Sequence, residues 1–208
     1  FDREALLGVS ITGWMNNPDI LFDEKILQKG AKIVKDVNKE VAAVIGINPA
    51  ARTTCVKPSG NASVLLQTAS GIHAEHSSMY IRNVQMNKES EITQAIMKTN
   101  PYMVEESVWS AGGTDVVVSF PILPKKGSMY KDDLLGVKHL KLVAKAQKHW
   151  VEAGTNEDLC ADKGVRHNVS NTIIVDDWDA VEKYVFENRR SFAGISFLGM
   201  TGDKDYNQ

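Results

Sequence analysis

Apolar residues return every three or four positions over residues 23–45, where Ile26, Leu27, Ala31, Ile33, Val34, Val37, Val41, Val44 and Ile45 predict one long amphipathic helix. Gly46, with Asn48 and Pro49 beyond it, supplies the stop. On one side lies Gly8-Val9-Ser10-Ile11-Thr12-Gly13, a short strand pattern broken by Asn16-Asn17-Pro18. On the other side the β-branched run 53–56 predicts a second strand. A strand, a long helix and another strand predict a β-α-β unit with parallel strands.

Downstream the pattern keeps alternating. Strands are predicted at 80–86 and 116–120, the second closed by Pro121 and Pro124, with a short helix over 89–99 broken at Asn100-Pro101. Asp132 or Asp133 is placed to cap a helix running through Leu134, Leu140, Val143, Trp150 and Val151. A polar loop follows over 155–168, then a strand at 169–175, a helix at 176–188 and a last strand at 194–198. Alternating strands and helices indicate an α/β barrel or an open doubly wound sheet. No fixed-period repeat is present.

Composition narrows the class. With 208 residues and 43% apolar content the chain can bury a core of its own, as one domain or a large piece of one. A net charge of −2 gives no reason to expect nucleic-acid or membrane binding, and no apolar run approaches the roughly 20 residues of a membrane span. Phe1 is not an initiator Met and no signal-peptide layout follows it, which suggests a start inside a longer protein. Cys55 and Cys160 are far apart and form no CxxC, a usage that fits a reducing cytoplasm and neither a disulfide scaffold nor a zinc site.

The richest stretch for chemistry is TTCVKPSGNAS, residues 53–63. A strand ends at Lys57-Pro58 and turns through Ser59, Gly60, Asn61 and Ala62 into Ser63 and an apolar segment. If a helix starts there, its first amides lack intrahelical acceptors and attract an anion. Ser59, Asn61 and Ser63 add side-chain donors, and Lys57 adds a positive charge. The stretch reads either as a phosphate cradle or as an ordinary capped strand-to-helix turn. His73 and His76 flank Glu75 in a loop and read as cleft-lining or surface residues, since a metal site lacks a third ligand at a usual spacing. Cys55, in a strand expected to be buried, reads as a packing residue, and Cys160 as exposed with nothing to activate it. Asp176, Asp177 and Asp179 suit a helix first turn. Lys138, Lys141, Lys145 and Lys148 read as a polyanion-binding row or as the solvated side of an amphipathic helix. There is no P-loop signature, no GxGxxG after a strand, and no HExxH or GxSxG.

Six segments in order, GVSITG, TTCVKPSGNASVL, SGIHAEH, MYIRNVQ, RHNVSNTIIV and FAGISFL, resemble the catalytic barrel of adenosylcobalamin-dependent (class II) ribonucleotide reductases, above all the monomeric ribonucleoside-triphosphate reductase type. The resemblance implies the later half of a ten-stranded α/β barrel, a single partial domain cut at both ends. It implies that the loop at Pro58, Ser59, Gly60 and Asn61 binds substrate phosphates. Where the family usually has Thr, this chain has Asn61. The implied reaction reduces ribonucleotides through a thiyl radical formed with adenosylcobalamin, with a thiol reductant such as thioredoxin serving the whole enzyme. The family's radical cysteine and glutamate lie in an NPCGE-like segment that this chain lacks, so no catalytic residue is assigned to it. The missing upstream barrel half, or self-association, is expected as the partner.

Overall fold

Asp23 opens the longest element, its carboxylate accepting the Ile26 N–H at 2.9 Å, and Gly46 closes it in a left-handed conformation at φ 72°. The computed structural model describes residues 4–200. Among them the chain runs β1 (Ala5–Ser10), α1 (Pro18–Leu21), α2 (Glu24–Ile45), β2 (Ala50–Cys55), α3 (Gly60–Leu65), β3 (Tyr80–Asn87), α4 (Glu91–Thr99), β4 (Val104–Glu106), β5 (Asp115–Ile122), α5 (Gly136–Ala146), β6 (Thr172–Val175), α6 (Trp178–Glu187) and β7 (Ser196–Gly199). These fall into two units, one comprising the residues up to Glu75 and from Lys125 onward, the other spanning His76 to Pro124.

In the first unit β1 and β2 pair in parallel across α2, and β6 and β7 pair in parallel across α6. A single parallel bridge, Val56 to Val169, joins the two pairs, with Val56 N–H donating to Asn168 O and Ser170 N–H to Val56 O. The expected β-α-β unit is therefore present, and present twice. Trp14, Leu27, Ile72, Leu140, Trp150 and Ile173 form part of the core against which the helices pack. At Gly30, where a Cβ would stand 3.3 Å from the Trp150 ring, α2 comes close to the chain that follows α5.

The strand β2 is buried at all six positions although it carries Arg52, Thr53 and Thr54. Each polar group has a partner. Thr53 donates through both its N–H and its hydroxyl to Gly154 O, and the Thr54 hydroxyl donates to Trp150 O at 2.7 Å. The Arg52 guanidinium reaches Glu4 and the carbonyls of Asp162 and Val165, which ties down the polar loop. The acceptors at Trp150 and Gly154 come from a π-helical turn, Gln147–Glu152, and the residues just after it. That turn corrects the expectation of one regular helix through Val151, and its wider coil lets the Trp150 indole donate to Cys55 O at 2.9 Å.

Four further features differ from expectation. Neither Asp132 nor Asp133 caps α5: residues Lys131–Asp133 form a 3-10 turn and the helix begins at Gly136. There the Asp176 carboxylate stands 2.3 Å from where a Cβ would lie, so only glycine fits. In the second unit, an antiparallel sheet of order β3-β5-β4, strand β5 runs on through Pro121 to Ile122. Beyond Val118, β5 pairs with β3 alone, so the missing proline N–H interrupts no second ladder. Strand β4 was not expected; three residues are too few to show alternation. Finally, the apolar row of α2 divides, with Leu27 and Ala31 buried but Val37, Val41 and Val44 exposed.

Gly154→Ala would put a Cβ 1.9 Å from Thr54 Oγ1. Loss of about 2 kcal/mol or more of unfolding free energy is expected in denaturant titration, because backbone on one side and a buried strand on the other leave nowhere to move.

Candidate functional site

Residues 57–62 leave the C-terminal end of β2 and turn into α3, a helix of six residues. The first closed turn is Ser63 N–H to Ser59 O at 2.7 Å, so the amides of Gly60, Asn61 and Ala62 precede any intrahelical acceptor. Lys57, Pro58, Gly60, Asn61 and Ala62 are exposed, and nothing lies within 4 Å of a Cβ built on Gly60. The side chains divide differently from the sequence expectation. Ser63 is buried and its hydroxyl donates to Gly60 O at 3.0 Å. The Ser59 amide donates to Ser70 Oγ at 3.2 Å, while its hydroxyl meets Thr12 Oγ1. On the exposed residues this leaves three backbone amides, the Asn61 carboxamide and the Lys57 ammonium.

The back of this loop is a second turn, residues 66–75. Gly71 packs so close beneath the loop that a Cβ would meet Lys57 O at 2.8 Å. Asn16 secures the turn from below, accepting the Ala69 N–H at 2.7 Å and donating to Glu75 and Ser128 at 2.9 Å each. Gly13 N–H and Trp14 N–H donate to Ala69 O and Gly71 O. None of Thr12, Asn16 and Ser70 was singled out from the sequence. The available signal was that GVSITG ends where an Asn-Asn-Pro break begins.

The two histidines expected to line a cleft do different things. His73, in the first unit, is half-buried and bonded through both ring nitrogens, with Nδ1 3.0 Å from Ser70 O and Nε2 3.0 Å from Thr172 N. His76, in the second unit, is exposed, its ring edge-on to Tyr80 at a centroid distance of 5.7 Å. No group of three His, Cys, Asp or Glu side chains among the described residues is arranged to hold a metal. A histidine missed by sequence reading, His139, is buried on α5 and donates from Nε2 to Ile72 O at 2.9 Å. Burial lowers its pKa to about 4, against the pull of the Ile72 carbonyl and with a smaller push from His73. Its place beside Leu140 on the apolar face was the signal.

Both cysteines are free thiols and both are buried. Burial pushes the Cys55 thiol up, and Lys57 offsets only part of that. Cys160, expected to be exposed, instead lies under the polar loop, 3.3 Å from Asn156 O, because Asn156 itself is bonded to Ala50 O and Ala51 O at the edge of β2. Lys138, Lys141 and Lys148 are exposed and Lys145 faces Glu24 at 3.4 Å, the arrangement of a solvated helix side. Asp177 caps α6 by accepting the Ala180 N–H at 3.1 Å. The cavity lined by Pro18, Asp19, Phe22, Glu24, Leu142 and Lys145, about 650 Å³, shares no residue with the loop. No described helix is long and apolar enough to cross a membrane.

A β-α-β pair repeated along one row of parallel strands, with a polar turn at a strand's C-terminal end, is the arrangement of an α/β protein whose ligands meet the ends of its strands. The chain is similar to reductases of one class. It is 28% identical over 123 residues to a "Probable adenosylcobalamin-dependent ribonucleoside-triphosphate reductase" of Dictyostelium discoideum, a match covering 59% of this chain and 16% of that protein. It is 23% identical over 153 residues to the adenosylcobalamin-dependent ribonucleoside-triphosphate reductase of Euglena gracilis, covering 72% of this chain and 21% of that one. A crystal structure of a B-12 dependent (class II) ribonucleotide reductase superposes with a TM-score of 0.70 over 86% of this chain and 24% of its own, at 19% identity, and so shares the fold. No family model matches. The likeness read from the six segments is thus shown by curated relatives and by fold, and the matches span about a sixth to a fifth of the relatives' length.

The His139 ring sets a pH dependence. The unfolded chain takes up a proton near pH 6.5, the folded chain only near 4, so the stability from burying neutral His139 is complete above 6.5 and is lost as pH falls from there to 4. The loss attributable to this residue is about 3 kcal/mol. Denaturant unfolding between pH 7 and pH 4 checks this, with His139→Gln, which cannot titrate, giving a flatter profile.

Proposed function

We propose that this chain is a portion of an adenosylcobalamin-dependent ribonucleotide reductase, and that residues 57–62 bind the phosphates of a ribonucleoside triphosphate or diphosphate. The observation that carries the reading is the run of exposed residues Gly60, Asn61 and Ala62, whose amides precede the first closed turn of α3 at the end of a buried parallel strand. Backbone donors at a helix start can bind a polyanion whatever the side chain at position 61. A carboxamide at Asn61 offers N–H donors where the family has a hydroxyl, and Lys57 adds charge. Pro58 completes the turn by fixing its φ.

The reduction itself is proposed for a larger or complemented protein. Cys55 and Cys160 are both buried and burial pushes the Cys55 thiol up, so the described residues are assigned to binding and orienting substrate, with the radical step elsewhere. The cofactor implied by the likeness, adenosylcobalamin, supplies a radical when its cobalt–carbon bond breaks. No residue of this chain is assigned to holding it. The first unit is proposed as part of a ten-stranded barrel. Supporting this, Leu6, Leu7 and Val9 on β1 are exposed along a strand paired on one side only, as expected of a barrel strand awaiting its neighbour.

Two measurements test the reading. Gly60→Ala has room in the protein and replaces a flexible residue with a good helix former, so thermal stability should hold or rise slightly. In calorimetry the same variant should bind ribonucleoside triphosphate about tenfold more weakly, because its methyl group stands where the anion approaches; unchanged binding rules the loop out. In sedimentation the isolated chain should self-associate or shift on adding the upstream barrel half of a related reductase. A stable monomer indifferent to that half contradicts the barrel assignment.

A further inference from the structure

The loop at 57–62 hangs on a chain of hydrogen bonds that begins at two side chains outside it. Thr12 Oγ1 lies 3.0 Å from Ala69 O and 2.9 Å from Gly71 N. A carbonyl only accepts and an amide only donates, so the Thr12 proton goes to Ala69 and its oxygen receives the Gly71 N–H. Its contact with Ser59 Oγ then runs one way, with Ser59 donating. The Ser59 amide donates in turn to Ser70 Oγ at 3.2 Å.

Ser70 is held by His73. Because Ser70 O can only accept, the His73 proton sits on Nδ1, 3.0 Å away, and because Thr172 N–H can only donate, Nε2 is the bare acceptor, also at 3.0 Å. His73 is therefore a neutral ring in the Nδ1–H tautomer, linking the first residue of β6 to the turn behind the loop.

We propose that Thr12 and His73 are positioning residues for the loop: Thr12 fixes the Ser59 side chain, His73 fixes Ser70, on which the Ser59 amide hangs, and together they set the direction of the Gly60, Asn61 and Ala62 amides. This rests on the phosphate-binding reading above. It also makes the Ser59 hydroxyl an internal donor, spent on Thr12, leaving the ligand to the amides beyond it. Pre-setting amide directions matters because a loop that must order itself on binding loses affinity to its own entropy.

The tautomer is read directly from ¹⁵N shifts of the wild-type His73 ring. Protonated Nδ1 is expected, and a proton on Nε2 overturns the proposal without reference to any ligand. Binding is measured by calorimetry with a ribonucleoside triphosphate and with inorganic tripolyphosphate. Thr12→Val keeps the shape and removes the hydroxyl, and should weaken both about tenfold, while Thr12→Ser restores the hydroxyl and should stay within about twofold of wild type. His73→Phe should weaken both by a similar factor. Should either of the disruptive variants fail to fold, Ser70→Ala cuts the same chain one link nearer the loop and should show the same loss. Folded Thr12→Val and His73→Phe, or Ser70→Ala in their place, binding as tightly as wild type overturn the proposal alone. A wild-type chain that binds neither probe removes the phosphate reading, and this proposal with it.

Discussion

The structure depends on the complete burial of a polar strand. Every residue of β2 lies in the interior, and three of its six, Arg52, Thr53 and Thr54, carry polar side chains that would cost roughly 1–3 kcal/mol each, and more for the guanidinium, if left unpaired. Pairing them dictates much of what surrounds the strand. The carbonyls of Trp150 and Gly154 must face it, which sets the register of the π-helical turn. The loop carrying Asp162 and Val165 must fold over Arg52, and that brings Cys160 under cover. His167 donates to Thr54 O and Gln147 to His167 O, so the same requirement passes along to the start of the next strand. The Val56–Val169 bridge then follows two residues later, and the loop leaves β2 from a fixed point.

Much of the frame was legible in the residues because it is written in period. The long helix, its Asp23 start and its Gly46 stop, the β-α-β unit around it, and the break at Asn100-Pro101 all rest on local patterns that tertiary contacts only reinforce. What was not legible is what depends on distant partners. Asp133 looks like a cap, yet Asp176, far along the chain, occupies the space beside Gly136 and shapes how α5 begins. The π turn follows from the acceptors that β2 demands, and no periodicity announces it. Cys160 looks exposed in a polar loop because Arg52, which pulls that loop down, stands more than a hundred residues earlier.

The candidate site divides along the same line. Its position at a strand end, and the glycine that would let a ligand come close, could be read from Lys57, Pro58 and Gly60. The fate of its hydroxyls could not. Ser59 and Ser63 look like donors in a sequence, since a side chain's partner does not appear there, but Ser63 turns inward to Gly60 O and Ser59 is engaged on both its nitrogen and its oxygen. His73 reads in the sequence only as a cleft-lining or surface residue. That both its nitrogens are saturated by backbone is a fact of the fold.

A physical account of position 61 follows from this division. Where side-chain hydroxyls hold the loop, as Thr12 and Ser59 do, replacing one removes a bond that orders the backbone. Where a side chain only faces outward, as the exposed Asn61 does, it can change while the amides behind it keep their direction. On the phosphate-binding reading, a Thr-to-Asn difference at position 61 alters one outward donor and leaves in place the bonds from Ser59 to Thr12 and Ser70. On the phosphate-binding reading, the direction of the loop is set by the frame beneath it more than by the residues on its rim.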